Sequence, residues 1–200
     1  EENFNGYFGS TVADIALPED FGRYGIEAES VYGYEKFDAR FDLAKNLNEP
    51  HRFGYVVEID PAKPDSMPQK RTALGRFKHE NAACTLAKDG RVVVYLGDDE
   101  RGEFLYKYVS AGVYTEGGDT SDLLVTGQLY VAKFAEDGTG EWLALTPEAT
   151  GMTQPEIHIF TRQAGSKVGA TTMDRPEWVA VNPVAAQAYC ALTNNKNRAV

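Results

Sequence analysis

Apolar and polar residues alternate over short runs along most of this chain, and no long run keeps a helical period. Residues 52–60, with Tyr55, Val56, Val57 and Ile59, predict a strand halted by Pro61. The proline-bearing stretch 63–69 predicts a loop, and residues 72–77 a short strand. Residues 82–87 and 91–96 predict a hairpin around Lys88-Asp89-Gly90, because Asp-Gly readily takes the positive φ of a tight turn. Residues 104–109 predict another strand, Tyr106 and Tyr108 alternating with Lys107. After a Gly/Asp/Thr loop over 114–122, residues 128–134 and 141–145 predict a second hairpin around Asp137-Gly138. Residues 146–172 read as loop with a short helix over 157–163. Residues 178–181 and 188–193 then form a last strand pair around Asn182-Pro183. Residues 1–36 are rich in Gly, Tyr, Phe and acids and predict irregular structure, with a short helix near 37–44.

Strands of this length, joined by hairpins, predict an all-β fold, mostly antiparallel. Cys84 and Cys190 lie among strand residues, so both are expected as buried thiols. Trp142 and Trp178 are expected to pack.

The pattern also repeats. Lys78-His79-Glu80 leads into one apolar strand, and Arg175-Pro176-Glu177 into another, with a cation two residues ahead of each glutamate. Each unit continues through a turn to a strand bearing an aromatic (Tyr95, Tyr189) and ends on a polar pair, Asp98-Asp99 or Asn194-Asn195. Asp98 lies 18 residues beyond Glu80, and Asn194 lies 17 beyond Glu177. Glu2 to Asp98 and Asp98 to Asn194 are 96 residues each. That period is about two propeller blades of ~40–50 residues. The expectation is a partial β-propeller of several antiparallel blades with loop and short-helix insertions. Residues 1–200 would then be part of one domain, incomplete at both ends. The start on Glu1-Glu2-Asn3 without Met and the stop at Arg198-Ala199-Val200 give the same expectation of a fragment. In a propeller, equivalent positions converge on one end of the axis, so Glu80 and Glu177 are expected to face one polar site.

Charge narrows the chemistry. Thirty acids against twenty Lys and Arg give a net charge of −10, which disfavours nucleic acid as a partner and suits cation binding. No apolar run approaches the ~20 residues of a membrane helix, and no signal-peptide pattern is present. Clustered carboxylates persist only where a cation, a proton or an arginine neutralises them. Oxygen donors suit calcium, manganese or ferric iron. His51, His79 and His158 form no ligand pair, which argues against zinc, and His79 reads as a structural histidine. No nucleophile elbow or phosphate-cradling glycine loop occurs. Arg175 is the natural anion reader, since a guanidinium can fork onto two phosphate oxygens; a surface pairing with its neighbours is the alternative. Asp98-Asp99-Glu100-Arg101 reads either as site carboxylates or as a charged hairpin end, and Asn194-Asn195 as site amides or a turn.

Several stretches together resemble a known family. They are Glu1-Glu2-Asn3-Phe4-Asn5-Gly6-Tyr7-Phe8, Arg52-Phe53-Gly54-Tyr55-Val56-Val57-Glu58-Ile59-Asp60-Pro61, Arg76-Phe77-Lys78-His79-Glu80 and Val94-Tyr95-Leu96-Gly97-Asp98-Asp99-Glu100-Arg101. Gly127-Gln128-Leu129-Tyr130-Val131-Ala132-Lys133-Phe134 and Met173-Asp174-Arg175-Pro176-Glu177-Trp178 complete the set. In order and over nearly the whole chain, they resemble the PhoX family of bacterial alkaline phosphatases. The resemblance implies a β-propeller phosphatase that uses calcium and iron and is exported by the twin-arginine route to the periplasm or beyond. It implies metal-ligand roles for Glu80, Glu177, Glu1 and Glu2, and a phosphate-contacting role for Arg175. Asp98, Asp99, Asp174 and Asn194 are further candidates. The family's iron-ligating cysteine would stand just before Glu1 and is not in this sequence, so these residues alone are expected to be inactive. The implied partners are phosphate esters, phosphate and the remaining propeller blades, with no nucleic acid and no membrane insertion. Two other functions compete: another calcium-dependent propeller hydrolase of phosphodiesterase or lactonase type, and a non-catalytic, calcium-stabilised binding module.

Overall fold

The computed structural model describes residues 1–196. Arg198-Ala199-Val200, where the chain was expected to break off, lie outside the described residues. Contacts divide the chain into two compact units, Glu1–Gly54 and Tyr55–Val200.

The first unit is built from short helical turns. One α-helix, α1 (Glu19–Arg23), accompanies 3-10 turns at Phe4–Tyr7, Tyr34–Lys36, Ala39–Phe41 and Glu49–Arg52. The helix expected near 37–44 is thus a single 3-10 turn, opened by Asp38, whose side chain accepts from the Arg40 amide. Phe4, Phe8, Phe21, Tyr24, Ile26, Leu43 and Phe53 form the core. Phe8 and Phe53 meet edge to face, with centroids 5.3 Å apart. Asp42, fully buried, does the work that strand pairing does elsewhere. Its oxygens accept from the Thr11 hydroxyl at 2.6 Å, the Thr11 amide at 3.2 Å and the Ala44 amide at 3.1 Å. Burial pushes its carboxyl up, but these bonds and the Lys45 ammonium outweigh that and hold it at about 2.

The second unit is antiparallel β. Strands β1 (Val56–Glu58) and β2 (Gln69–Arg71) pair as a hairpin. Then β3 (Ala83–Leu86), β4 (Arg91–Gly97), β5 (Leu105–Val113), β6 (Gly127–Phe134) and β7 (Gly140–Ala144) form a five-stranded meander in sequence order. Three short helices follow, α2 (Pro147–Thr150), α3 (Gln154–Ile159) and α4 (Thr161–Lys167), and a hairpin of β8 (Pro176–Val181) and β9 (Ala188–Leu192) ends the fold. The meander sorts its side chains by alternation. Val94 faces Tyr108 and Leu96 faces Tyr106, which in turn face Leu129 and Val131; all are buried. This face packs with Phe77, Ile157 and Ala164 into one core. On the other face Tyr95, Lys107 and Tyr130 stand in register across three strands, and the Lys107 ammonium lies 4.5 Å from the Trp142 ring centre. Burial there lowers the lysine's affinity for its proton.

The hairpins expected around Asp89-Gly90 and Asp137-Gly138 are present, as is the last strand pair. Residues 72–77 are not a strand: Thr72–Leu74 is a 3-10 turn, and the pairing residues lie just before it, at Gln69–Arg71. Ala73 and Leu74 are consecutive and both buried, which a half-exposed strand cannot arrange. The one helix expected over 157–163 is two, broken at Phe160 (φ −108°, ψ 47°). There the Thr161 hydroxyl donates back to the Ile157 carbonyl at 2.9 Å. α3 itself opens on a capping box, Thr153 and Glu156 satisfying each other's amides.

Cys84 is exposed and Cys190 only half-buried, against the expected buried thiols. Both are free thiols, and burial pushes Cys190 to about 11. Trp178 is likewise exposed rather than packed. A register shift between Pro176 and Val179 puts those two residues inward and breaks strict alternation. The Asn81 side chain fills the irregularity, accepting from the Val179 amide at 3.0 Å and donating to its carbonyl at 2.8 Å. No helix is long and apolar enough to cross a membrane among the described residues.

Candidate active site

Four chain segments run side by side at one end of β4 and β8. Lys78 accepts from the Asp99 amide at 3.0 Å, and His79 bridges Asp98. The same turn, residues 98–103, meets residues 173–174 on its other side: Gly102 donates to the Met173 carbonyl at 2.8 Å, and Met173 to Glu103 at 3.0 Å. Thr193 closes the series by donating its amide to Asp174 at 3.0 Å. Sequence positions about a hundred residues apart thereby share one ladder.

Asp98 and Asp99 part company on this ladder, because successive residues of an extended segment point to opposite sides. Asp98 turns inward and is fully buried. Arg162, on α4, forks onto it, Nε to Oδ2 at 2.8 Å and Nη2 to Oδ1 at 2.6 Å. Asp98, a candidate metal ligand from sequence, therefore has a different partner: its oxygens are committed to an arginine in the core. Asp99 turns to the site, where Arg175 forks onto it, Nε to Oδ1 at 2.8 Å and Nη2 to Oδ2 at 2.9 Å. Nη2 of Arg175 also lies 3.1 Å from Glu177 Oε1, which accepts from the Thr193 hydroxyl at 2.6 Å. Among the described residues nothing hydrogen-bonds Nη1 of Arg175, and the side chain is 27% exposed. A carboxylate oxygen of Glu80 lies within 4.8 Å of one on Asp99. Glu80 thus lies near Asp99, and Glu177 contacts the arginine that Asp99 holds.

Arg175 sits at φ 58°, in the left-handed region that side chains other than Gly, Asn and Asp rarely adopt. The following Pro176 already disfavours the helical alternative. Backbone strain of this kind costs about 1–3 kcal/mol and persists where surrounding contacts over-determine the residue.

The remaining candidates make local contacts. Asp174 accepts from Asn195 Nδ2 at 2.9 Å, and Asn194 accepts from Arg101 Nε at 2.9 Å, so both stitch neighbouring segments. In the first unit, Glu1 accepts from the Gly54 amide at 3.0 Å, and Glu2 from Asn3 Nδ2 at 3.0 Å. Sequence reasoning missed Arg162 and the Lys78–Glu100 pair at 2.7 Å. No sequence signal marked Arg162: its burial with Thr161, Ala164 and Gly165 appears only in the fold.

His79 is the structural histidine expected, with one reservation in its bonding. Its Nε2–H donates to the Gly75 carbonyl at 3.0 Å, and its ring stacks on Phe77 at 3.8 Å. Nδ1 is buried without a partner among the described residues. Burial drives its pKa down to about 3, aided by the nearby Arg162. The unfolded imidazole binds a proton below about 6.5 and the folded one does not, so the stability is complete above that pH and drains away toward about 3. The expected slope is ~1.4 kcal/mol per pH unit. A His79→Gln variant should flatten the fall in melting temperature between pH 6.5 and 4; an unchanged acid limb would assign that fall to other groups.

Residues 1–200 match the family model described as "Alkaline phosphatase PhoX". No curated protein matched. The chain is similar to Pseudomonas fluorescens PhoX, solved in complex with vanadate, a transition state analogue: 48% identity, TM-score 0.92, covering 99% of this chain. It spans 37% of that protein's chain. Over its whole length, then, with its antiparallel sheets superposable on a solved member, this chain belongs to the PhoX family of alkaline phosphatases.

Proposed function

We propose that this chain is part of a metal-dependent phosphatase that hydrolyses phosphomonoesters to scavenge phosphate, and that Arg175 takes the phosphoryl group. One observation carries the reading: a guanidinium with two donors on Asp99 and a contact to Glu177, its Nη1 without a partner among the described residues, and a Glu80 carboxylate within 4.8 Å of Asp99. Two N–H donors on one nitrogen of a permanently protonated guanidinium suit a phosphoryl oxygen.

The donor set fits a hard cation. Carboxylate oxygens of Glu80 and Asp99 lie within 4.8 Å of each other, and every donor is oxygen, as calcium requires. Glu80 and Glu177 are the proposed ligands, with Glu1 and Glu2 added on the family resemblance alone, and calcium and iron are the proposed metals. Such cations supply Lewis-acid polarisation of the phosphoryl group when bound. Arg175 neutralises charge that builds on the phosphoryl oxygens and orients the ester, while Thr193 holds Glu177 in place. Export by the twin-arginine route to the periplasm or beyond, and the remaining propeller blades as structural partners, belong to the same proposal.

The test is a phosphomonoester assay on the full-length protein. Arg175→Ala should lower kcat/KM by about 10²-fold and leave turnover of a neutral lactone, if there is any, unchanged. Full phosphomonoester turnover in this variant would overturn the reading. Equal loss on the lactone would move the function toward the other hydrolase type.

A further inference from the structure

We propose that Asp99 is the positioning residue for Arg175, setting which edge of the guanidinium meets phosphate; this rests on the phosphate-binding role just given to Arg175. The fork itself determines the outcome. Nε and Nη2 are the edge with which an arginine ordinarily grips an oxyanion bidentately, and Asp99 occupies that edge at 2.8 and 2.9 Å. Glu177 takes up Nη2 further, at 3.1 Å. The guanidinium is planar and rigid, so fixing one edge fixes the direction of the other. Among the described residues Nη1 alone has no partner, so phosphate is met end-on by one nitrogen rather than side-on by two.

Asp99 is itself built to hold position. It is buried, and its amide is tied to the Lys78 carbonyl at 3.0 Å. Its neighbour Asp98 is locked to Arg162 in the core. The left-handed backbone of Arg175 suits such a hold, since strain of this kind persists where surrounding contacts over-determine the residue. A freely rotating arginine would spend rotamer entropy on every binding event; a forked one has lost it beforehand.

The experiment is a double-mutant cycle on the full-length protein, read as affinity for inorganic phosphate by calorimetry, with melting temperature recorded for each variant. Arg175→Ala is expected to weaken phosphate binding by about 10- to 100-fold, the range for charge-assisted hydrogen bonds. Asp99→Asn should weaken it about tenfold in the natural background, as expected of a lost pre-organising contact, and should have no further effect once Arg175 is Ala. Asp99→Glu keeps the charge on a longer arm, so it should fall between the natural protein and Asp99→Asn, and it carries the test if Asp99→Asn does not fold. An equal loss from Asp99→Asn in both backgrounds would overturn the inference, because Asp99 would then act independently of the arginine. So would natural affinity in Asp99→Asn alongside a loss in Arg175→Ala; that pair of results spares the phosphate reading. Natural affinity in Arg175→Ala sinks both.

Discussion

Arg162→Met is expected to lower the stability of the full-length protein by about 3–5 kcal/mol, the range for removing one partner of a buried ion pair. Arg162 and Asp98 are both fully buried, and their two-point fork has no water to replace it. Methionine restores most of the lost volume but none of the charge. Burial already pushes the Asp98 carboxyl up against the pull of the guanidinium, and without that pull it goes higher and takes a proton. Glu103, 3.9 Å from Arg162, loses a counter-charge at the same time. Domains are stable by only about 5–15 kcal/mol, so a loss of this size is read directly as a lower urea midpoint. Adding Asp98→Asn should recover part of the loss, since two neutral groups leave no bare charge inside. A midpoint that does not move in Arg162→Met would mean the pair is solvated in solution.

Gly97→Val is expected to cost at least about 3 kcal/mol, the upper part of the range for overpacking, and to cripple the site as well. Gly97 is the last residue of β4, and a Cβ there would strike the Glu177 carbonyl oxygen and lie 2.7 Å from that of Pro176. Backbone oxygens cannot swing aside as a flexible side chain can. The strands must separate, and β8 carries Glu177 and follows directly on Arg175. A shift of about 1 Å in a positioning residue costs on the order of 10²-fold in rate. Phosphomonoester turnover and thermal stability should therefore fall together. A variant with normal values for both would show that β4 and β8 lie farther apart than described.

The strand order of the meander was legible because Asp-Gly turns and alternation are local signals, readable residue by residue at Tyr106, Tyr108 and Leu129. The repeated pattern put Glu80 and the Arg175–Glu177 stretch on equivalent strand entries, and the structure sets both beside Asp99. The ladder joining residues 78–79, 98–103, 173–174 and 193 was not legible. Opposite fates for Asp98 and Asp99 lay beyond sequence reasoning. They depend on which side of one extended segment meets α4, and that is settled by tertiary packing. The 3-10 turn at Thr72–Leu74 was missed for a related reason: two adjacent apolar residues fit either a strand or a buried turn until their neighbours are known. Trp178 shows the limit of periodicity, since one irregularity in β8 turned it outward.

The tandem aspartates also say where this protein can change length. The exposed loop over residues 114–122 can gain or lose residues at little thermodynamic penalty, because closure entropy grows slowly with loop size. Between Asp98 and Asp99 there is a single peptide bond, with the interior on one side and the arginine on the other. One inserted residue would send both carboxylates to the same side, so a change of length that the loop absorbs would break this turn.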